Sequence, residues 1–198
     1  MRLRSGLGLA GRLLPALMFV LAAAGCGESG EAAPSDECGD TLVVATTNIL
    51  GDIARQVVGD QGRVEVLMPV GADPHSFQAS AAQAATLRRA DLVVTNGLGL
   101  EEGLHDVVAA AAAEGVAVVE AASFVEPLPL ALGEHEQDED EAAGEHEDGT
   151  LDPHIWTDPA RMTEVVTGLG EALAAERPAC ATTYRAAAAA YAGELLAL

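Results

Sequence analysis

The sequence predicts an α/β domain in which helices flank a parallel four-stranded sheet. Short apolar, β-branched segments alternate with segments that have helical spacing of apolar residues, which is typical of a parallel sheet covered on both faces. Glycine or proline marks several boundaries between these segments. Aromatic content is only 3%, so we expect a core of small aliphatic side chains. The predicted strands are 42–46, 63–68, 91–95 and 116–119.

Three helices are predicted between these strands. Residues 49–58 have helical spacing of apolar side chains and end at Gly59. Ser80 is the predicted N-cap of an alanine-rich helix that reaches about residue 90. The third helix covers 101–114 and begins with two acids, where the helix dipole favours negative charge.

The C-terminal part is predicted to be helical. Asp158 and Pro159 combine an N-cap residue with a proline in the first turn, so a helix begins there and reaches about residue 176. Pro178 opens a second, alanine-rich helix that is still in register at Leu198. We therefore expect the complete protein to be longer.

The N-terminus has the pattern of an export signal. Arginines precede the apolar residues 13–24, a segment too short to span a bilayer as a helix. Ala23-Ala24-Gly25-Cys26 follows, and small residues directly before a cysteine look like a bacterial lipobox. Cys26 would then be lipidated and become the mature N-terminus. The alternative is an ordinary secretory signal that is cleaved nearby.

Charge and cysteine content limit the function further. The net charge is −21 and the chain has no lysine, so we expect no nucleic-acid partner and an attraction for cations. With Cys26 assigned to lipid, Cys38 and Cys180 remain. An extracytoplasmic location permits a disulfide between them, which we predict; two unpaired thiols are the alternative.

Two copies of one tripeptide indicate a metal site. Asp73-Pro74-His75 and Asp152-Pro153-His154 account for two of only five histidines. Histidine is the commonest protein ligand for zinc and related metals, and the proline holds it on a stiff turn. His75 follows the second strand, at the sheet edge where ligands gather. We predict that His75 and His154 approach each other at this edge and bind metal.

The other histidines have weaker signals. His135 and His146 lie in the segment 134–148, which contains nine acids. Such a segment is either a solvated, disordered loop or a low-affinity metal-collecting loop, and both descriptions can hold. His105 is predicted to lie on a helix surface.

The sequence contains no catalytic signature. It has no His-Glu-x-x-His motif, no Gly-x-Ser-x-Gly motif, no Walker A motif and no EF-hand spacing. We therefore predict no catalytic residues and no enzyme activity.

Four segments carry a family resemblance: 44–52, 69–77, 96–101 and 152–159. Their order and spacing resemble the solute-binding lipoproteins of zinc/manganese ABC importers, the cluster A family, over about residues 41–198. The resemblance implies a periplasmic-binding-protein-like fold of two α/β lobes joined by one long helix, with metal in the cleft. It implies that His75 and His154 are the ligands of the N-terminal lobe.

The resemblance also implies a domain organisation. Residues 1–25 would be the lipoprotein signal peptide and 26–40 a flexible tether. The N-terminal metal-binding lobe would cover 41–176 and include the disordered acidic loop 133–149. Residues 177–198 would begin the interlobe helix, with the C-terminal lobe and its ligands beyond it.

The implied function is extracytoplasmic metal capture. The protein would take up Zn²⁺, or alternatively Mn²⁺, and deliver it to a membrane permease that works with an ATPase. A lipid anchor would hold it at the cell membrane. The alternatives are a metal-dependent surface adhesion or interaction lipoprotein and a zinc hydrolase, which would need a general base near an open metal position.

Overall fold

The computed structural model describes residues 40–130 and 151–198. Its sheet has the order β2-β1-β3-β4, and all neighbouring strands are parallel. This confirms the predicted fold class, and each strand lies within one or two residues of its predicted position. The strands are β1 (Thr41–Ala45), β2 (Gly62–Val66), β3 (Leu92–Thr95) and β4 (Ala117–Glu120).

Five α-helices accompany the strands in the described residues. Three of them differ from expectation. The third begins later because a short 3-10 helix, Glu102–Leu104, precedes it, and the last ends at Leu195. The second is also shorter than predicted. The helices are α1 (Asn48–Val58), α2 (Ala81–Leu87), α3 (His105–Ala113), α4 (Pro159–Glu176) and α5 (Ala181–Leu195).

Side-chain caps fix the start of three helices. The Ser80 hydroxyl accepts from the Gln83 backbone amide, while the Gln83 side chain accepts from Ser80, which is a capping box. Asp158 caps α4 by accepting from the Ala160 amide, and Pro159 occupies the first turn as predicted. Thr47 caps α1 in the same way.

The core lies on both faces of the sheet. Successive strand residues point to opposite faces, so Val43 and Ala45 join one apolar cluster and Leu42 and Val44 join the other. The first cluster is completed by α1, α4 and α5, and the second by α2 and α3. Because β1 is buried on both faces, every one of its five residues is inaccessible to solvent.

Helix α5 is fixed near the amino end of the sheet. The Tyr184 hydroxyl and the Thr41 hydroxyl form a buried hydrogen bond of 3.0 Å. Arg177, just before α5, pairs with Asp91, whose other oxygen accepts from the Leu42 amide at 2.7 Å. At its opposite end α5 lines a cavity that it shares with Trp156. The helix therefore runs from the amino edge of the sheet towards its carboxyl edge.

Cys180 is buried and disulfide-bonded. Cys38 lies outside the described residues, so the Cys38–Cys180 pairing remains a prediction. Among residues 40–130 and 151–198, no helix is both long enough and apolar enough to cross a membrane.

The close contact between α4 and α5 gives a stability prediction. A Cβ on Gly170 would lie 2.6 Å from the Ala188 Cβ, whereas one on Gly193 would meet nothing within 4 Å. Gly170→Ala is expected to lower the free energy of unfolding by about 1–2 kcal/mol, because overpacking strain outweighs the helix propensity gained.

The matched control is Gly193→Ala in α5, which is expected to raise the free energy of unfolding by about 0.5–1 kcal/mol. Urea denaturation followed by circular dichroism measures both. Equal effects of the two substitutions would contradict the close helix contact.

Candidate metal centre

The two predicted histidines lie together at the carboxyl edge of the sheet. His75 is in the loop after β2, and His154 directly precedes the 3-10 helix Ile155–Thr157 that leads into α4. Their ring centroids are 6.0 Å apart and the ring planes meet at 65°. The predicted approach of these residues, which are far apart in the sequence, is confirmed.

The separation of the rings fits a shared metal ion. With a Zn–N distance of about 2.0–2.1 Å, each ring centroid would lie about 3.2 Å from the metal, so two imidazoles on one tetrahedral ion would have centroids about 5.2 Å apart. The observed 6.0 Å is a little longer than this. The two rings are therefore close to the separation that one shared ion would require.

Both copies of the tripeptide form the same local turn. The Asp73 carboxylate accepts from the His75 backbone amide at 3.0 Å, and Asp152 accepts from the His154 amide at 2.9 Å. Aspartate readily forms such turns with the amide two residues later, and an intervening proline fixes the chain in between. The repeat in the sequence therefore corresponds to a repeated backbone geometry.

Only one of the two aspartates contacts the ring of its histidine. Asp152 Oδ1 also lies 2.7 Å from His154 Nδ1, whereas the second oxygen of Asp73 accepts from the Ser76 hydroxyl. The two hydrogen bonds from His154 lower the pKa of Asp152, so this carboxyl is ionised near neutral pH and can only accept. In neutral His154, Nδ1 would then carry the proton, and Nε2 would keep its lone pair for a metal.

Solvent access also differs between the rings. His75 is exposed, while the His154 side chain is 42% exposed. Trp156 packs edge-on against His154 with ring centroids 5.2 Å apart. Trp156, which is itself partly buried, therefore covers one side of the His154 ring.

A buried polar network that the sequence patterns did not predict holds the His154 loop. The Asn96 side chain donates to the Pro153 carbonyl at 2.8 Å, and the Asn96 backbone N–H donates to the Glu101 carboxylate at 2.7 Å. Glu101 was expected to lie in the first turn of a helix; instead it precedes that turn and is buried. The two glycines of Gly97-Leu98-Gly99 were the sequence signal for a tight turn at this point. All three residues have positive φ in the structure, and the turn brings Glu101 back to Asn96.

The remaining histidines do not join this pair. His105 is exposed, as predicted, and its Nδ1 lies 3.2 Å from the carboxylate of the neighbouring Asp106. His135 and His146 lie outside the described residues. Within 40–130 and 151–198, no group of three or more His, Cys, Asp or Glu side chains is arranged to hold a metal ion.

Comparison with known proteins places the chain in a family. The family model described as "Zinc-uptake complex component A periplasmic" matches residues 43–198, which include the whole described sheet from Val43 onward and both histidines. The chain belongs to this family. The family resemblance found in the sequence is thereby confirmed.

Individual relatives carry names with different metals. The chain is 32% identical over 180 residues to the manganese-binding lipoprotein MntA of Halalkalibacterium halodurans, covering 90% of this chain and 54% of the relative. It is 30% identical over 172 residues to the iron-binding protein YfeA of Yersinia pestis, covering 83% and 49%. The chain therefore spans about half the length of the curated relatives it matches.

A solved structure supports the same fold. The Zn(II)-bound ZnuA-like domain of Streptococcus pneumoniae AdcA superposes with a TM-score of 0.66 at 26% identity, covering 80% of this chain and 53% of that one. The names of these three proteins describe metal-binding proteins, and none of the three describes an enzyme.

The contact between Asp152 and His154 predicts a tautomer. Neutral His154 is expected to carry its proton on Nδ1, because the ionised Asp152 can only accept. Long-range ¹H–¹⁵N NMR of the imidazoles measures this directly. Asp152→Ala should shift His154 towards the Nε2-protonated form.

The control for this prediction is Asp73→Ala. It removes the same kind of turn, but Asp73 bonds to the backbone and to Ser76 rather than to the His75 ring. The tautomer of His75 should therefore not change. Neutral His154 with its proton on Nε2 in the unaltered protein would contradict the assignment.

Proposed function

We propose that this protein is the extracytoplasmic metal-binding component of an ABC importer, which captures Zn²⁺ and delivers it to a membrane permease and its ATPase. The observation that supports this most strongly is the pair His75 and His154, 6.0 Å apart at the carboxyl edge of a parallel sheet. Membership of the zinc-uptake family supports the same proposal.

The chemistry of the pair suits reversible capture. Two imidazole nitrogens are good ligands for zinc and its neighbours, and a stiff turn lowers the ordering needed when metal binds. Further ligands would come from residues outside the described segments, from the rest of a longer protein or from water. Mn²⁺ is the alternative cargo, since manganese is favoured when the added ligands are carboxylates.

The N-terminus would keep the protein near its permease. We propose that residues 1–25 are a signal peptide, that Cys26 is lipidated and that 26–40 form the tether. The described sheet and helices would then be the N-terminal metal-binding lobe, 41–176, and residues 177–198 would begin the helix that joins it to a second lobe. A Cys38–Cys180 disulfide would tie the tether to the start of α5.

Substitution of the two histidines tests the proposed ligands. His75→Ala and His154→Ala should each weaken Zn²⁺ binding by more than the roughly 10- to 100-fold that loss of an outer-shell partner costs. Isothermal titration calorimetry at neutral pH measures the affinity. The matched control is His105→Ala, because His105 is exposed and its ring pairs with Asp106 rather than with either histidine of the pair.

Unchanged affinity in either His75→Ala or His154→Ala would contradict the proposed site. Loss of affinity in His105→Ala would indicate that binding is not confined to the pair. Circular dichroism of all three variants checks that the fold is retained.

The acidic segment would act as a collector. Residues 134–148 carry nine acids with His135 and His146, and they lie just before the Asp152-Pro153-His154 turn in the sequence. A concentration of negative charge raises the local concentration of cations and the rate at which they arrive. We propose that this segment supplies metal to the site without being a permanent part of it.

Deletion of residues 134–148 tests this role. At low salt, the deletion variant should bind Zn²⁺ with a lower association rate than the unaltered protein, as measured by stopped-flow competition with a fluorescent chelator. The difference between the two rates should shrink as salt rises, because salt screens electrostatic attraction. The equilibrium affinity should stay nearly unchanged. A large loss of equilibrium affinity would mean that the segment supplies a true ligand.

A further inference from the structure

We propose that Glu101 is the positioning residue that holds the two histidine loops at a fixed separation. It does so through hydrogen bonds to Thr46 and Asn96, each of which is bonded in turn to one of the two loops. The inference rests on the proposed function only in taking the two imidazoles as metal ligands.

The Glu101 side chain is unusually well enclosed for a carboxylate. The residue is 8% exposed, whereas its neighbour Glu102 is exposed to solvent. One carboxylate oxygen accepts from the Thr46 hydroxyl at 2.5 Å and from the backbone N–H of Asn96 at 2.7 Å. The other oxygen accepts from the backbone N–H of Gly97 at 3.3 Å. Acidic side chains are rarely buried unless they are paired in this way.

Thr46 connects Glu101 to the His75 loop. Thr46 directly follows β1 and is completely buried. Its carbonyl accepts from the Met68 amide at 3.0 Å, which continues the β1–β2 pairing into the segment that leads to His75. The position of the Thr46 backbone therefore determines where this segment leaves the sheet.

Asn96 connects Glu101 to the His154 loop. Asn96 directly follows β3 and is 1% exposed. Its side chain donates to the Pro153 carbonyl at 2.8 Å, and that carbonyl also accepts from the Ile155 amide at 2.9 Å. Pro153, the residue before His154, is thus held both by Asn96 at the end of β3 and by Ile155 at the start of the 3-10 helix.

The position requires a group that only accepts hydrogen bonds. All three partners of Glu101 are donors, two of them backbone amides that cannot turn away. An amide at this position would present its own N–H₂ to at least one of these donors, and a buried donor without an acceptor destabilises the arrangement. Glutamine has nearly the same shape, so Glu101→Gln changes the hydrogen bonding and little else.

The test compares Glu101→Gln with Glu102→Gln in the full chain. Both substitutions remove one negative charge from adjacent residues, but only the first alters buried hydrogen bonds. Without metal, NMR should detect a nuclear Overhauser effect between the ring protons of His75 and His154 in the unaltered protein and in Glu102→Gln. Glu101→Gln should lose this cross-loop effect and keep the local Nδ1 bond between Asp152 and His154.

This pair of readouts separates positioning from general stability. Unfolding would remove both signals, whereas loss of positioning removes only the cross-loop one. Retention of the cross-loop effect in folded Glu101→Gln would overturn the proposal. If Glu101→Gln does not fold, Thr46→Val decides by the same criterion, because it removes one donor and preserves the shape of the side chain.

Zinc titration gives a second readout. Glu101→Gln should bind Zn²⁺ roughly 10- to 100-fold more weakly, as expected for a residue that orients ligands without touching the metal. Glu102→Gln should bind as the unaltered protein does. Absence of Zn²⁺ binding in the unaltered protein would refute the proposed function, while the metal-free NMR comparison would still decide the role of Glu101.

Discussion

Parallel pairing of β1 with both β2 and β3 is the constraint on which the remaining structure depends. Because parallel strands leave a sheet at the same edge, the segments that follow β1, β2 and β3 must emerge side by side. Thr46 follows β1, the segment that leads to His75 follows β2, and Asn96 follows β3. The pairing also requires cover on both faces of β1, which the two apolar clusters provide.

The edge created in this way is completed by a segment from far along the chain. The tripeptide Asp152-Pro153-His154 belongs to no strand and reaches the edge through a side-chain donor on Asn96. Asp152 then bonds both to the backbone N–H of His154, which forms the turn, and to the Nδ1 atom of the His154 ring. One tripeptide sequence thus gives one turn geometry in both copies but two different environments for the imidazole.

Much of this arrangement could be predicted from local patterns. The strand–helix alternation indicated the sheet, and the repeated tripeptide indicated which histidines meet. Glu101 was misinterpreted because a glutamate at the start of a helical segment is usually favoured there by the helix dipole. Its buried role depends on Thr46 and Asn96, which are distant in sequence, and helical periodicity contains no information on such contacts. The ends of α2 and α5 also differed, since cap geometry rather than composition decides where a helix stops.

Helix α5 is held in its first half, where Tyr184 bonds to Thr41 and Ala188 packs closely against Gly170. Its hydrogen bond from Tyr184 to Thr41 lies at the amino edge of the sheet, whereas Leu195 lines the cavity beside Trp156. Eleven residues of helix separate these points, a distance of about 16 Å. A tilt of a few degrees about the fixed point would therefore move the tip by about 1 Å. Because Trp156 packs against His154, the orientation of one helix and the surroundings of one imidazole are geometrically coupled.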